Sequence, residues 1–412
     1  MRVEVPYYDG VITLSLPDDT EIVEPNEVAA VSDASSAIRA AVGNPVDAPP
    51  LEEFLSGAAR VLVIVNDATR PTPTAAVLDA IGDTLAAHDA RFIVATGAHR
   101  APTEDEYRFI LGAHYGRFRG RIESHDARDE SSLADLGATR NGTPILLNRK
   151  VVGADRIVVI GSVEPHYFAG YTGGRKAILP GVAGYRTIQA NHKLALDPHA
   201  HSLELDENPV SQDMEDTLHL VKGRIFSVMT VLDKHQRLAS CVAGDIRASF
   251  RKAVADANAV FAVRMARRAE IVISVARSPM DIDLYQSQKA IDNGSLAVAD
   301  GGILILVSSC RDGVGDKAYL DLLGSSSSPR EALKKIQEGY RLGYHKAAKI
   351  AQAADRISLM AYSELESGVL KKAFITKVES LQSAVDAALA AQGPGARVAV
   401  LPDGTVTVPI LE

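Results

Sequence analysis

The stretch "RVLVIVNDATRPTPTAAVLDAIGDTLAAH", residues 60–88, holds the fold in miniature. It opens on "RVLVIVN" (60–66), an apolar, β-branched run without polar alternation. A strand of that kind is covered on both faces, which is the mark of a parallel sheet lying between helices. The segment 72–88 begins Thr-Pro-Thr and reads as a helix, because proline is tolerated in a first turn whose N–H groups lack helical partners anyway. Between the two lies "DATRPTPT", polar residues at the exit of a strand, where open parallel sheets bind their ligands.

The same unit recurs along the chain. Further strands are expected at 91–96, 156–162, 224–232, 270–276, 302–308, 356–361 and 397–402, and residues 1–16 read as two short strands. Helices are expected at 101–111, with Thr103 as N-cap and acids in the first turn, and at 246–269, 327–340 and 380–392. Alternation of strand and helix gives an α/β protein with more than one sheet. "AVGNPVDAPPLEEF" (41–54) reads as a connector. The long helix ending near Arg268 reads as a hinge, because a strand-first pattern restarts at Glu270. The expectation is two α/β domains with mainly parallel sheets and a cleft between them. Residues 1–268 would form an N-terminal cofactor-binding domain, with the C-terminal strand, about 401–412, a candidate to complete it. Residues 269–400 would form the second domain and contribute substrate-binding residues.

Composition narrows the function. The chain has 412 residues, a formal charge of −8, no Trp and no basic run, which argues against a nucleic-acid groove. No apolar stretch is long enough to span a bilayer, and no cationic start precedes an apolar segment, so no membrane partner is expected. Cys241 and Cys310, the two cysteines, lie in apolar surroundings and read as free thiols in a reducing cytoplasm.

The chemistry concentrates at strand exits, which carry Asp67, Arg70, His99, Arg100, His166, Lys176 and Lys289. The glycine-rich "EPHYFAGYTGGRKAILPG" (164–181) is not a nucleotide-binding P-loop: Arg175 stands where the second Gly belongs and Ala177 where a magnesium-binding hydroxyl belongs. Arg70 suits a carboxylate or phosphate as a guanidinium fork, though the whole segment also reads as helix-capping chemistry. His99 suits acid–base work near neutrality, or simple capping. His199 and His201 lack a third ligand at metal spacing and read as solvent-exposed, while His192, alone in a helix, reads as a core histidine. Tyr285, Gln286 and Lys289 share one helical face, which is either solvated or turned to the cleft.

Five segments, in order, carry a resemblance: "NDATRPTPT", "TGAHR", "EPHYFAGYTGGRKAILPG", "ANHK" and "YQSQK". Together they resemble the nickel-dependent lactate racemase family of 2-hydroxy acid racemases and epimerases. The resemblance implies a nickel pincer nucleotide, a pyridinium-3-thioamide-5-thiocarboxylic acid mononucleotide, attached covalently at Lys176, with nickel ligated by His192. It implies His99 and His166 as the acid–base pair, Arg70 and Lys289 on the substrate carboxylate with Tyr285 and Gln286 beside them, and Asp67 near the cofactor. Gly173 and Gly174 would let the loop fold beneath the tethered nucleotide. A histidine would take the hydroxyl proton as hydride leaves C2, and two imidazoles serve the two enantiomers. Cofactor-maturation enzymes are the implied partners, besides a small 2-hydroxy acid. Two other classes are open to the residues alone: a metal-dependent hydrolase using His99, His166 and His192, and a non-catalytic hydroxy-acid-binding protein.

Overall fold

The computed structural model describes residues 1–221 and 224–411. Among the described residues the strands form two six-stranded sheets and four two-stranded ones. The chain packs as two compact units, residues 27–260 and residues 1–26 with 261–412.

The 27–260 unit is built on a sheet of order Leu238–Asp245, Ile225–Leu232, Arg156–Ser162, Val61–Asn66, Arg91–Ala95, Ile122–Ser124. Every pairing is parallel except the first. Val77, Leu78, Ile81 and Leu85 of the helix Thr74–Ala87 share a core with Val63, Val65, Phe92 and Ile160. Each such side chain, fully buried, favours folding by roughly 1.5–3 kcal/mol over exposure. The direction of winding reverses between Val61–Asn66 and Arg156–Ser162. From the first, the chain proceeds outward through Arg91–Ala95 and Ile122–Ser124; from the second, it proceeds the other way. Connections that diverge at such a point leave a crevice beyond the carboxyl ends of the two central strands.

The other unit is built on a wholly parallel sheet of order Ile375–Lys377, Ser358–Tyr362, Val298–Val307, Ala269–Val275, Val398–Leu401, Glu21–Ile22. The N-terminal hairpin, Arg2–Tyr7 with Gly10–Ser15, lays Val3, Val5 and Leu14 against Ile271, Ile273, Ile303 and Val398.

The structure departs from the sequence expectation in four places. The first 26 residues lie in the unit that holds 261–412, because the alternating apolar residues of the hairpin are buried there. The helix expected over 246–269 stops at Phe261, and Ala262–Met265 forms a strand paired in parallel with Val408–Leu411. Ladder pairing and the burial of Met265 outweigh the helix propensity of that segment. The C-terminal strand therefore does not complete the 27–260 unit; Glu412, the end of its expected range, lies outside the described residues. The supposed connector 41–54 is also built in. Val46 bonds to Ala243 and Asp245 through its backbone, and Leu51 and Leu55 of the short helix Leu51–Leu55 enter the core.

Among the described residues no helix is long and apolar enough to cross a membrane. Cys241 and Cys310 are free thiols, the first partly and the second fully buried.

Candidate functional site

The loops leaving the two central strands are stitched together. Asn66 Nδ2 donates to Thr72 Oγ1 at 2.7 Å, and the Thr72 and Ser162 hydroxyls bond at 2.8 Å. The segment 67–73 is thereby held as a turn, and its helix begins at Thr74, slightly later than the Thr-Pro-Thr signal suggests.

Asp67 is the buried anchor of this turn. Its Oδ1 accepts from the Thr69 backbone at 3.1 Å and the Thr69 hydroxyl at 2.5 Å, and its Oδ2 accepts from His99 Nδ1 at 2.7 Å. Burial alone would raise the Asp67 carboxyl. The bonds from His99 and Thr69, helped by the charges of His99 and Arg70, outweigh it and hold the group below the usual carboxylate range. An ionised carboxylate only accepts, so His99 carries its proton on Nδ1 when neutral and presents a lone pair at Nε2. Gly97 N donates to Gly181 O at 3.0 Å, joining the His99 loop to the end of the glycine-rich segment. Arg100, by contrast, is engaged bidentately by Glu106 at 2.7 and 2.8 Å, within the capping box of the helix Glu104–Leu111.

The glycine-rich segment starts as a small hairpin in which Pro165–His166 pairs with Gly170–Tyr171. His166 Nδ1 accepts from the Ala169 N–H at 3.3 Å, so neutral His166 carries its proton on Nε2, the opposite tautomer to His99. The buried ring of Phe168 is the centre of this half of the site. The His166 ring meets it edge-on at 4.6 Å, the His192 ring lies 5.0 Å away, and Lys176 Nζ is 5.5 Å from its centroid. Lys176 projects from the single turn Gly174–Ala177, and His192 lies near the end of the helix Tyr185–Lys193. Burial, and then the Lys176 charge, push His192 down to about 3, so its imidazole is neutral at any physiological pH.

Gly173 and Gly174 answer to packing. Their φ values are +77° and +51°. A Cβ on Gly173 would stand 2.7 Å from Ser162 O, and one on Gly174 would stand 2.7 Å from the Phe250 ring. The Gly174 N–H is directed at Met229 Sδ, 3.2 Å away. Sequence reasoning gave no structural role to two residues that organise the loop. One is Phe168, within the quoted "HYFAG". The other is Arg175, whose guanidinium is buried over the Phe250 ring at 4.6 Å and donates to Ala169 O at 2.8 Å. Burial pushes Arg175 down to about 10, so it stays charged. Both backbone groups of Ala169 are thus held, its carbonyl oxygen by Arg175 and its N–H by the His166 ring.

No group of three or more His, Cys, Asp or Glu among the described residues could hold a metal ion. His199 pairs with Glu207 at 3.2 Å, and His201 Nδ1 bonds Ser202 O at 3.0 Å, which leaves His201 partly buried rather than exposed. A neutral imidazole beside a lysine, without a protein-only cage, fits a group that brings its own donors and needs one protein ligand and one attachment point.

In the other unit, Tyr285, Gln286 and Lys289 lie partly buried on the first turns of the helix Leu284–Ala297, as their spacing predicts. Asp283 caps that helix by accepting from Gln286 N at 2.7 Å. Burial, reinforced by Asp316 and Asp283, pushes the Tyr285 hydroxyl up to about 12, which keeps it a hydrogen-bond donor.

Comparison with known proteins adds an independent line. The family model for the lactate racemase N-terminal domain matches residues 7–203, and that for the lactate racemase C-terminal domain matches residues 264–409. The chain is 27% identical over 425 residues to a lactate racemase of Thermoanaerobacterium thermosaccharolyticum, covering 99% of each. It is 29% identical over 426 residues to a lactate racemase of Lactiplantibacillus plantarum, covering 98% of each. The structure of the lactate racemase apoprotein from T. thermosaccharolyticum matches with a TM-score of 0.91 at 26% identity, over 100% of both chains. A Thermotoga maritima protein matches with a TM-score of 0.68 at 17% identity, over 92% of this chain and 98% of that one, and speaks for the fold alone.

Proposed function

The chain belongs to the lactate racemase family and is an isomerase, and from that premise we propose that it interconverts the C2 stereoisomers of lactate or a related 2-hydroxy acid with a nickel pincer nucleotide bound at Lys176. The observation that carries the proposal is the gathering of Lys176, His192 and His166 around the Phe168 ring.

Racemisation has to break one C–H bond and remake it on the other face. Removing the α-hydrogen as a proton would build negative charge beside a carboxylate. The nucleotide would supply the alternative, a ring that reversibly accepts the hydrogen with its electron pair. In this reading the chain's residues do the rest. Lys176 is the attachment point, and His192 offers nickel a neutral nitrogen. His99, oriented by Asp67, takes the hydroxyl proton at Nε2 from one enantiomer. His166, when doubly protonated as an imidazolium, returns a proton from Nε2 to the oxygen from the other side. One ring starts neutral as base and the other starts as an imidazolium acid, and turnover exchanges their states. Acid–base assistance of this kind is worth roughly 10²–10⁴-fold in rate. Arg70 offers its planar fork to the carboxylate. Tyr285, Gln286 and Lys289 are assigned to substrate binding. A cytoplasmic location and dependence on cofactor-maturation enzymes belong to the same proposal.

A metal-dependent hydrolase finds no support, because the histidines named for it form no ligand cluster among the described residues. The test is co-expression with cofactor-building enzymes, followed by intact-protein mass spectrometry and a chiral assay of lactate. A mass addition that vanishes in Lys176→Ala, together with racemisation, is expected. Racemisation by protein without added mass would overturn the cofactor assignment.

A further inference from the structure

Lys346, on the helix Tyr344–Arg356, is only 3% exposed. Its Nζ donates to the Tyr285 carbonyl oxygen and stands 4.0 Å from the centroid of the Tyr285 ring. Its own carbonyl oxygen accepts from Gln288 Nε2 at 2.9 Å. One residue therefore grips the first turn of the helix Leu284–Ala297 through a backbone oxygen, an aromatic face and a side-chain amide. Asp292, two turns further along that helix, and Asp283, at its cap, attract the ammonium, while Lys289 repels it; Lys349 also faces Asp292. Burial works against both charged forms, lowering Lys346 and raising Asp292.

A buried cation is a poor stabiliser, because taking an ion out of water is costly and an apolar residue of the same volume often does as well. What Lys346 supplies is a fixed orientation. A cation centred under the Tyr285 ring, bonded to the backbone of the same residue, sets where the Tyr285 hydroxyl points and how the turn carrying Gln286 and Lys289 is presented. We propose that Lys346 is a positioning residue for substrate binding by Tyr285, Gln286 and Lys289. The inference rests on the substrate-binding role given to those three residues above.

The experiment compares the wild-type holoenzyme with Lys346→Met, Lys346→Arg and the double variant Lys346→Met/Asp292→Asn. Each is loaded with cofactor and assayed for kcat and KM on lactate, with melting followed in parallel. Groups that bind ground and transition states alike act on KM. The double variant, which removes the buried ammonium together with the Asp292 charge that attracts it, should melt close to wild type. Its KM should rise about tenfold while kcat stays within about threefold. Lys346→Arg, which keeps the cation, should recover most of that loss. An unchanged KM in the folded double variant, or failure of that variant to fold at all, assigns Lys346 to stability and overturns the proposal. The wild-type run separates the two ideas: without turnover there, the functional reading falls, whereas turnover with an unchanged variant KM removes only the role of Lys346.

Discussion

His99 donates from Nδ1 to Asp67 Oδ2 across 2.7 Å, and the two partners differ sharply in environment: the histidine side chain is 56% exposed and the aspartate 9%. A carboxylate fixed by Thr69 thus orients a ring that would otherwise turn freely in solvent and change tautomer at will. Asp67→Asn keeps the shape and removes the charge. It should lower kcat by about 10- to 100-fold, the usual scale for losing an orienting partner, with a smaller change in KM. Initial rates of lactate racemisation, followed by chiral chromatography, measure both.

The same carboxylate ties stability to pH. Its folded value is depressed below the ordinary 3.8, so its contribution is complete above that value and fades as pH falls through it toward the folded value. The stability advantage of wild type over Asp67→Asn should therefore be constant from neutrality to about pH 5 and shrink below about pH 4. Melting temperatures of the two proteins across that range test this; a gap that widens on acidification contradicts it.

Lys176 and His192 face the same Phe168 ring but have separate tasks in the proposed reaction. After co-expression with cofactor-building enzymes, Lys176→Ala should show neither added mass nor nickel. His192→Ala should keep the added mass and lose most of its nickel. Mass spectrometry and elemental analysis on the same samples give the two readouts. Nickel retained in full by His192→Ala would remove that residue from the ligand set.

The strand runs were legible because their residues are apolar on both faces, and a parallel sheet buried on both sides demands that. The N-cap at Thr103 was legible because its chemistry is local. What the sequence hid is long-range. Glu21–Ile22 takes an edge beside Val398–Leu401, and Ala262–Met265 pairs with Val408–Leu411; no local pattern announces a partner more than a hundred residues away. At the site, His99, His166 and Lys176 stood out by residue type and position at strand exits, whereas His192, inside a helix, read as a core histidine and took a role only from the family resemblance. Phe168 and Arg175 did not stand out, because an aromatic residue and an arginine in a glycine-rich loop look ordinary until the fold places rings and carbonyls around them. Lys346 was invisible for the same reason: lysine is read as a surface residue, and only packing shows it buried.

Arg70 sits at the reversal point of the 27–260 sheet, one turn from the helix Thr74–Ala87, and its charge is felt at Asp67. If it holds the substrate carboxylate, Arg70→Lys should raise KM more than it lowers kcat, since a lysine keeps the charge but not the planar fork. Arg70→Ala should raise KM by about 10- to 100-fold, the scale of a lost charge-assisted hydrogen bond. Its melting temperature should scarcely move. A loss of kcat with KM unchanged would instead place Arg70 in the chemical step.

The glycine loop offers a test that needs no cofactor. Alanine at 174 meets two obstacles, a φ of +51° and a Cβ 2.7 Å from the Phe250 ring. Phe250 also lies beneath Arg175, which in turn holds Ala169 O. Pushing Phe250 aside should therefore disturb the hairpin that presents His166. Overpacking of this kind costs about 1–3 kcal/mol, and Gly174→Ala should lower the melting temperature accordingly. Adding Phe250→Leu should restore part of the loss by making room, but not the part that comes from the left-handed backbone. Gly173→Ala should be worse than Gly174→Ala. Its Cβ would stand 2.7 Å from the Ser162 carbonyl oxygen, and Ser162 ends a central strand of the sheet, so the obstacle there is backbone that cannot step aside. Equal melting temperatures for the two variants would mean that φ strain alone sets the cost and that the close approach to Ser162 is immaterial.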